Sequence, residues 1–453
     1  MKPLVIIHGW SDEATSFIPL ANAIEQIAHR PVQNLFLGNY ISLDDDVQMK
    51  DLVQGLARAW KKEKLPTTPG SVDVIVHSTG SLVVRDWMHS EYTVNNQKPP
   101  VGNLVMLAPA NFGSPLAHQG RAVYGRVLKG FNSAKRFQTG GHILKALEMA
   151  SPYTWDLAQR DRFETSPFGA TGVRATVLVG NSGYRGVSSL ANSPGSDGTV
   201  YVATANLNCA QVEVHFPAGD RVPKLKTIKT SKGESAFLVM DGFDHSAIAL
   251  KDDNHPDNAQ LLGNIITALS IGSAAQFKEW VTHCEEHTAA VMKAHENSTD
   301  DYKHGFQNTV FRVKDDHGFH VLDYVIEFYH DVERGFADTL ATMFNRKAMS
   351  KVHAYGDNSA YRSFMINCTA LYRIIKKEKE ALRVSLSAMP DLNDEHTLVG
   401  YRSFGNNDIG QVDLKPAAIP EFFTPNRTLL VDITLTREQK DELFWIRNVE
   451  DVD

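Results

Sequence analysis

No run of the 453-residue sequence approaches the ~20 consecutive apolar residues that a membrane-spanning helix needs. Cysteine is scarce as well. Cys209, Cys284 and Cys368 are an odd number and widely spaced, as expected of free thiols in a reducing compartment rather than of a disulfide framework. There is no basic excess: the formal net charge is -7 at pH 7, so nothing in the bulk composition points to nucleic acid. The start of the chain offers only Leu4-Val5-Ile6-Ile7 before His8-Gly9, far short of the ~7 to 15 residue apolar core of a secretory signal. Sec-type export is not expected, and any membrane contact should be peripheral. What is present is ordinary, 42% hydrophobic and 22% charged residues, which excludes disordered and fibrous classes.

The first ~270 residues alternate apolar runs of strand length with segments of helical period. Strands are expected at Leu4 to Ile7, Val32 to Leu37, Val72 to Val76, Leu104 to Leu107, Thr176 to Val179, Val212 to Phe216 and Ala236 to Met240. Between them Met49, Leu52, Val53, Leu56 and Trp60 share a helical face, Ser81 to Met88 reads as helix, and a last helix lies near Ala259 to Leu269. Repeated strand-helix-strand order implies a mostly parallel sheet covered on both faces, an α/β fold. Over sixty residues part the Leu107 and Thr176 strands, too long for an ordinary connection. Helical pieces and many aromatics, Trp155 and Phe168 among them, suggest a helical cap insertion over about 110–174, either a small core of its own or the lining of an apolar cleft. A charged helix and linker follow over 273–300. Beyond it period-2 alternation dominates, as in Leu322, Tyr324, Ile326 and Phe328, again in Leu382, Val384 and Leu386, and in Leu429, Val431, Ile433 and Leu435. That pattern predicts an antiparallel, sandwich-like β-rich domain over 301–453, after an α/β domain over 1–272.

The strongest local signal is Val72-Asp73-Val74-Ile75-Val76-His77-Ser78-Thr79-Gly80-Ser81. A buried strand runs straight into a serine, and a helix begins at once. In such an elbow the turn lifts the serine hydroxyl above the strand ends, at the N-terminus of a helix. The usual Gly-x-Ser-x-Gly has its first glycine replaced by Val76. His8-Gly9-Trp10 follows the first strand, where elbow hydrolases place one oxyanion-hole N–H; the second comes from the residue after the nucleophile. Trp10 and Thr79 are therefore the expected backbone donors. A serine becomes nucleophilic only when a base, oriented by a carboxylate, takes its proton. In the order serine, acid, histidine, Asp197 in Ser196-Asp197-Gly198 and His245 in Phe243-Asp244-His245 fit, with Asp220, Asp241 and Asp244 as rival acids. His77 is expected to point away from Ser78 and to pack.

These residues, His8-Gly9-Trp10, His77-Ser78-Thr79-Gly80, Asp197-Gly198 and Asp244-His245, resemble an α/β-hydrolase of the lipase type. Their spacing, 119 residues from Ser78 to Asp197 and 48 more to His245, together with a β-rich C-terminal domain of about 150 residues, resembles the PlaB-like bacterial phospholipases A and lysophospholipases A. In that family the elbow lacks the first glycine, with a threonine where this chain has Val76. The resemblance implies hydrolysis of acyl esters of glycerophospholipids and lysophospholipids, no metal or other cofactor, and homo-oligomers. It also implies a bacterial, cell-associated protein, cytoplasmic or in peripheral membrane contact.

The runner-up is a soluble carboxylesterase or triacylglycerol lipase with the same triad. A different class is raised by His283-Cys284-Glu285-Glu286-His287, the inverted zinc-peptidase pattern, with His283, Glu286 and His287 as its chemistry. Its helix is highly charged, unlike the apolar wall of a zinc hydrolase. The stretch Leu443-Phe444-Trp445 is either core or an exposed apolar patch.

Overall fold

The computed structural model describes residues 2–9, 14–29, 32–35, 46–117, 141–186, 189, 192–219, 224–252, 254–329, 344–378, 382–403, 412–414 and 419–446. It divides into two compact units. The first comprises Met1–Ala210, Thr230–Asn308 and Pro425–Thr428, the second Gln211–Lys229, Thr309–Thr424 and Leu429–Asp453.

In the first unit the apolar runs become strands β1 (Leu4–Ile7), β2 (Val32–Leu35), β3 (Val72–His77), β4 (Val101–Leu107) and β5 (Arg174–Gly180). Three strands of a second sheet follow, β6 (Ala210–Phe216), β7 (Lys224–Leu225) and β8 (Lys229–Thr230). The chain then returns to the parallel sheet with β9 (Ala236–Met240). That sheet has the order β2-β1-β3-β4-β5-β9, and each neighbouring pair along it is parallel. Every residue of β1, β3, β4 and β9 is buried, which is why they read as unbroken apolar runs: helices cover both faces and leave no wet side to mark with polar residues. Helix Met49–Lys62 buries Met49, Leu52, Val53, Leu56 and Trp60, and helix Gly80–Glu91 buries all its residues as far as Met88. Register aligns Ile7 with Val76, His77 with Leu107, and Gly180 with Met240. The loops after β1, β3, β4, β5 and β9 therefore leave one edge of the sheet together. This is the edge at which open parallel sheets hold their ligands.

Two expectations change. The 212–216 strand does not join the parallel sheet: β6 lies in a second sheet, and its partly alternating burial already sets it apart from the continuous runs. The charged helix after 272 forms as Ala274–His295 within the first unit, where Trp280 Nε1 donates to Thr176 Oγ1 over 3.0 Å. Of the 110–174 segment expected to form a cap, residues 118–140 lie outside the described residues. Helices Gly141–Leu147 and Pro152–Ala158 are in place, with Trp155 and Phe168 buried.

The second unit is built on β10 (Phe306–Asp315), β11 (Tyr324–Tyr329), β12 (Met349–Ala354), β13 (Tyr361–Asn367), β14 (Leu382–Ala388), β15 (Val399–Gly400), β16 (Val412–Leu414), β17 (Arg427–Leu435) and β18 (Glu438–Gln439), some of which begin in the first. One sheet runs β12-β13-β10-β17-β6-β7, and a three-stranded sheet runs β11-β14-β16 with both pairings antiparallel. On β11 Tyr324, Ile326 and Phe328 are buried while Val325 and Glu327 face out, as period 2 requires. β17 departs from that rule. It sits centrally, between β10 and β6, and Leu430 and Asp432 on its second face are buried too, Asp432 held by Arg312 at 2.7 Å. Phe444 and Trp445 are exposed, 83% and 69%, so they form a surface patch rather than core.

Candidate active site

Ser78 stands immediately beyond β3 with φ +53°. Few residues other than glycine adopt this left-handed region, and the strain persists only where surroundings over-determine it. Here they do. The Ser78 N–H donates to Leu107 O at 3.1 Å, and the Ser78 carbonyl accepts from the Ser81 hydroxyl at 2.8 Å and the Ser81 N–H at 3.2 Å. Gly80 is needed because a Cβ there would stand 2.9 Å from Ile7 O. Gly9 lies as close on the other side: its Cβ would meet the Ser78 Cβ at 3.0 Å. The replacement of the usual glycine by Val76 is accommodated because Val76 is still strand, paired with Ile7 and Met106 and wholly buried. Thr79 is buried, and its N–H has no acceptor among the described residues. Trp10 lies outside the described residues.

Asp197 and His245 are brought together. Asp197 Oδ2 accepts from His245 Nδ1 at 2.9 Å, with both side chains almost fully buried. Asp197 Oδ1 accepts from the Thr199 and Val200 N–H groups at 2.9 and 2.8 Å, and the Asp197 carbonyl accepts from the His245 N–H at 2.9 Å. With its carboxylate so held, Asp197 fixes the imidazole as the tautomer with hydrogen on Nδ1, leaving Nε2 a lone pair. His245 Nε2 is buried and has no hydrogen-bond partner among the described residues. Buried polar atoms are seldom left unsatisfied, and one that is calls for an explanation.

The His245 loop is joined to the end of β3 by His77, whose Nε2 lies 3.2 Å from His245 O and whose ring centroid is 4.7 Å from that of His245. The Asp197 turn is braced by Tyr184, whose hydroxyl is 2.7 Å from Thr199 Oγ1. Burial, and then the nearby Asp197 charge, push the Tyr184 phenol well above its ordinary range, so it stays a neutral hydrogen-bonding group.

The rival acids are engaged elsewhere or lie outside the description. Asp244 Oδ1 accepts from the Ser246 and Ala247 N–H groups at 2.9 and 2.8 Å, capping its own turn. Asp241 accepts from Asn181 at 2.9 Å, Lys303 at 2.7 Å and His295 at 3.1 Å. Asp220 lies outside the described residues. In the zinc-like stretch the His283 ring stacks on Trp280 at 5.3 Å and Cys284 is buried. Among the described residues no group of three or more His, Cys, Asp or Glu is placed to hold a metal ion.

The sequence left two features of this region unseen. One is the brace of Tyr184, which carries no motif. The other is Arg85, two turns after Ser78 and fully buried, paired with the equally buried Asp161 at 2.8 and 2.9 Å. The adjacent charges of Arg85 and Asp86 inside the otherwise apolar Leu82–Met88 stretch were the available signal.

No protein-family model matches the sequence, and no curated protein matches it. Among solved structures, phospholipase PlaB from Legionella pneumophila superposes with a TM-score of 0.82 at 24% identity, over 99% of this chain and 97% of that one. PlaB in complex with thio-NAD superposes with a TM-score of 0.81 at 23% identity and the same coverage. The chain thus shares the fold of PlaB over almost its whole length, as the resemblance of the motifs implied.

Proposed function

We propose that this protein is a serine hydrolase that cleaves acyl ester bonds of glycerophospholipids and lysophospholipids, with Ser78, Asp197 and His245 as its catalytic triad. The observation that carries the reading is the buried Asp197–His245 pair with Nε2 left open, on a loop anchored beside a strained Ser78. Most buried polar atoms are satisfied, and an open Nε2 opposite a carboxylate-held Nδ1 is the arrangement a general base requires.

In the proposed reaction the Ser78 Oγ attacks the acyl carbonyl carbon while its proton passes to His245 Nε2. The carbonyl oxygen becomes an oxyanion, taken up by the Thr79 N–H and by the Trp10 N–H that follows Gly9. Collapse expels the glyceryl alcohol, which leaves with the proton from His245, and the acyl group remains on Ser78. Water then attacks the acyl-enzyme with His245 again as base, releasing fatty acid and restoring the serine. Asp197 holds the ring through Nδ1 and stabilises the imidazolium. No residue on this path requires a metal ion or other cofactor.

The substrate class is supported by the whole-length likeness to PlaB, a phospholipase. No described helix is long and apolar enough to cross a membrane. The proposal further takes lipid to be met through peripheral contact by a self-associating protein, with the 110–174 segment as the cap that admits the acyl chain. The test is release of fatty acid from phosphatidylglycerol, lysophosphatidylcholine and a triacylglycerol, each with a Ser78→Ala control. The two phospholipids should be hydrolysed and the triacylglycerol spared. The opposite preference selects the carboxylesterase or neutral-lipase alternative, and loss with EDTA restored by zinc selects the metallohydrolase.

A further inference from the structure

We propose that His77 is a positioning residue for His245, acting through a hydrogen bond to its backbone rather than through packing alone; the proposal rests on the serine-hydrolase reading above. His77 is 1% exposed, and its Nε2 lies 3.2 Å from the His245 carbonyl oxygen. A carbonyl oxygen can only accept, so Nε2 carries the hydrogen. The contact links residues 168 apart in the chain, one beside the nucleophile and the other the base itself.

The base is a loop residue, and a loop has many conformations to lose. Among the described residues three hydrogen bonds hold this one. Asp197 takes the ring Nδ1–H and the backbone N–H of His245, and His77 holds the backbone carbonyl. The first two fix His245 relative to the acid. The third fixes it relative to the strand that delivers Ser78. His77 is itself held in place by rings: Phe17 lies 5.4 Å from it by centroids, and His8 stacks on Phe17 at 5.9 Å. His8 and Phe17 flank the loop after β1, so the row His8, Phe17, His77 and His245 runs from the predicted oxyanion loop to the base. A residue that fixes the distance between nucleophile and base acts on the chemical step and leaves substrate affinity alone.

The experiment uses the full chain and lysophosphatidylcholine as substrate. His77→Leu and His77→Phe keep apolar bulk and remove the donor, whereas His77→Gln and His77→Asn restore an amide N–H. The donorless variants should lose kcat on the order of 10- to 100-fold with KM little changed, as expected of a base misplaced by about an ångström. The amide variants should recover most of that loss at the same Tm. A readout independent of turnover is the low-field proton resonance of His245 Nδ1–H against Asp197, expected in the wild type and the amide variants and broadened or lost in a folded donorless one. A folded donorless variant with full kcat and an unchanged resonance overturns the proposal, as do amide variants no faster than donorless ones. Hydrolysis retained by Ser78→Ala would sink the underlying reading instead, and the resonance alone then decides for or against His77.

Discussion

Two buried side-chain pairs on the same unit, one an ion pair and the other a carboxylate with a neutral imidazole, are completed differently. Arg85–Asp161 is closed: both carboxylate oxygens are met by the guanidinium, whose Nη1 also donates to the Asn111 carbonyl and side chain at 3.2 Å. Burial pulls the guanidinium down in pKa, but the charge and hydrogen bond of Asp161 more than offset this and hold it above its ordinary value. Asp197–His245 is open. Its carboxylate is saturated by backbone and imidazole, yet the far ring nitrogen has no partner among the described residues. A closed pair contributes nothing to chemistry, and its loss leaves an uncompensated buried charge. An open pair keeps one atom ready to take a proton, at the cost of an unsatisfied buried group.

The comparison breaks most sharply at the open pair. Asp197→Asn should lower kcat on the order of 10⁴-fold through the wrong imidazole tautomer, and Ser78→Ala by at least as much, with unfolding transitions close to wild type. An Asp197→Asn protein that keeps its rate, beside an Asp244→Asn protein that loses it, would move the acid to Asp244. At the closed pair the same exchange should act on stability. Asp161→Asn should cost about 3–5 kcal/mol, read as a lower urea midpoint, while the surviving folded fraction keeps normal kcat per active site. An equal loss of kcat in that fraction would dissolve the distinction.

Gly80→Ala sharpens the geometry between the two. Its methyl would press on Ile7 O at 2.9 Å, so the elbow must shift away from β1. A drop in kcat of roughly 10- to 100-fold is expected, with a smaller loss of stability than at Asp161. Unchanged kinetics would show that the close approach of helix and strand is dispensable.

The smallest effect belongs to a third carboxylate, Asp241, which is 43% exposed. Burial alone would raise it, but hydrogen bonds from Lys303, Asn181 and His295 outweigh that and hold its pKa down, from an ordinary 3.8 to about 2. A carboxyl whose folded pKa lies below its unfolded one stabilises the fold above the unfolded value, and that contribution is lost as pH falls through the folded one. Urea midpoints of wild type and Asp241→Asn should therefore differ modestly near pH 6 and converge between about pH 4 and pH 2. A gap independent of pH would contradict the assignment of the effect to ionisation.

Legibility in the sequence followed the range of the interactions. The runs that became β1, β3, β4 and β9 were plain because burial on both faces leaves only apolar residues. The turn at Ser78 was plain because a strand, a serine and a helix adjoin in eight residues. β6 was misplaced into the parallel sheet because a seven-residue strand does not announce which sheet it joins. Leu322 was counted on the buried face of a strand, whereas β11 begins at Tyr324 and Leu322 is 53% exposed. Least visible were bonds between distant residues. Arg85 meets a partner 76 positions away, and His77, read as packing, meets a backbone oxygen 168 positions away. Neither distance leaves a periodic mark.

The central claim is that Ser78, activated by the open nitrogen of His245, is the nucleophile. Peptide mapping by mass spectrometry after exposure of the full chain to a fluorophosphonate tests it most directly. The account predicts one phosphonate adduct, on Ser78, formed in parallel with loss of ester hydrolysis and strongly slowed in His245→Ala. Loss of hydrolysis with the adduct on another residue, or full hydrolysis by a protein quantitatively labelled at Ser78, would contradict it.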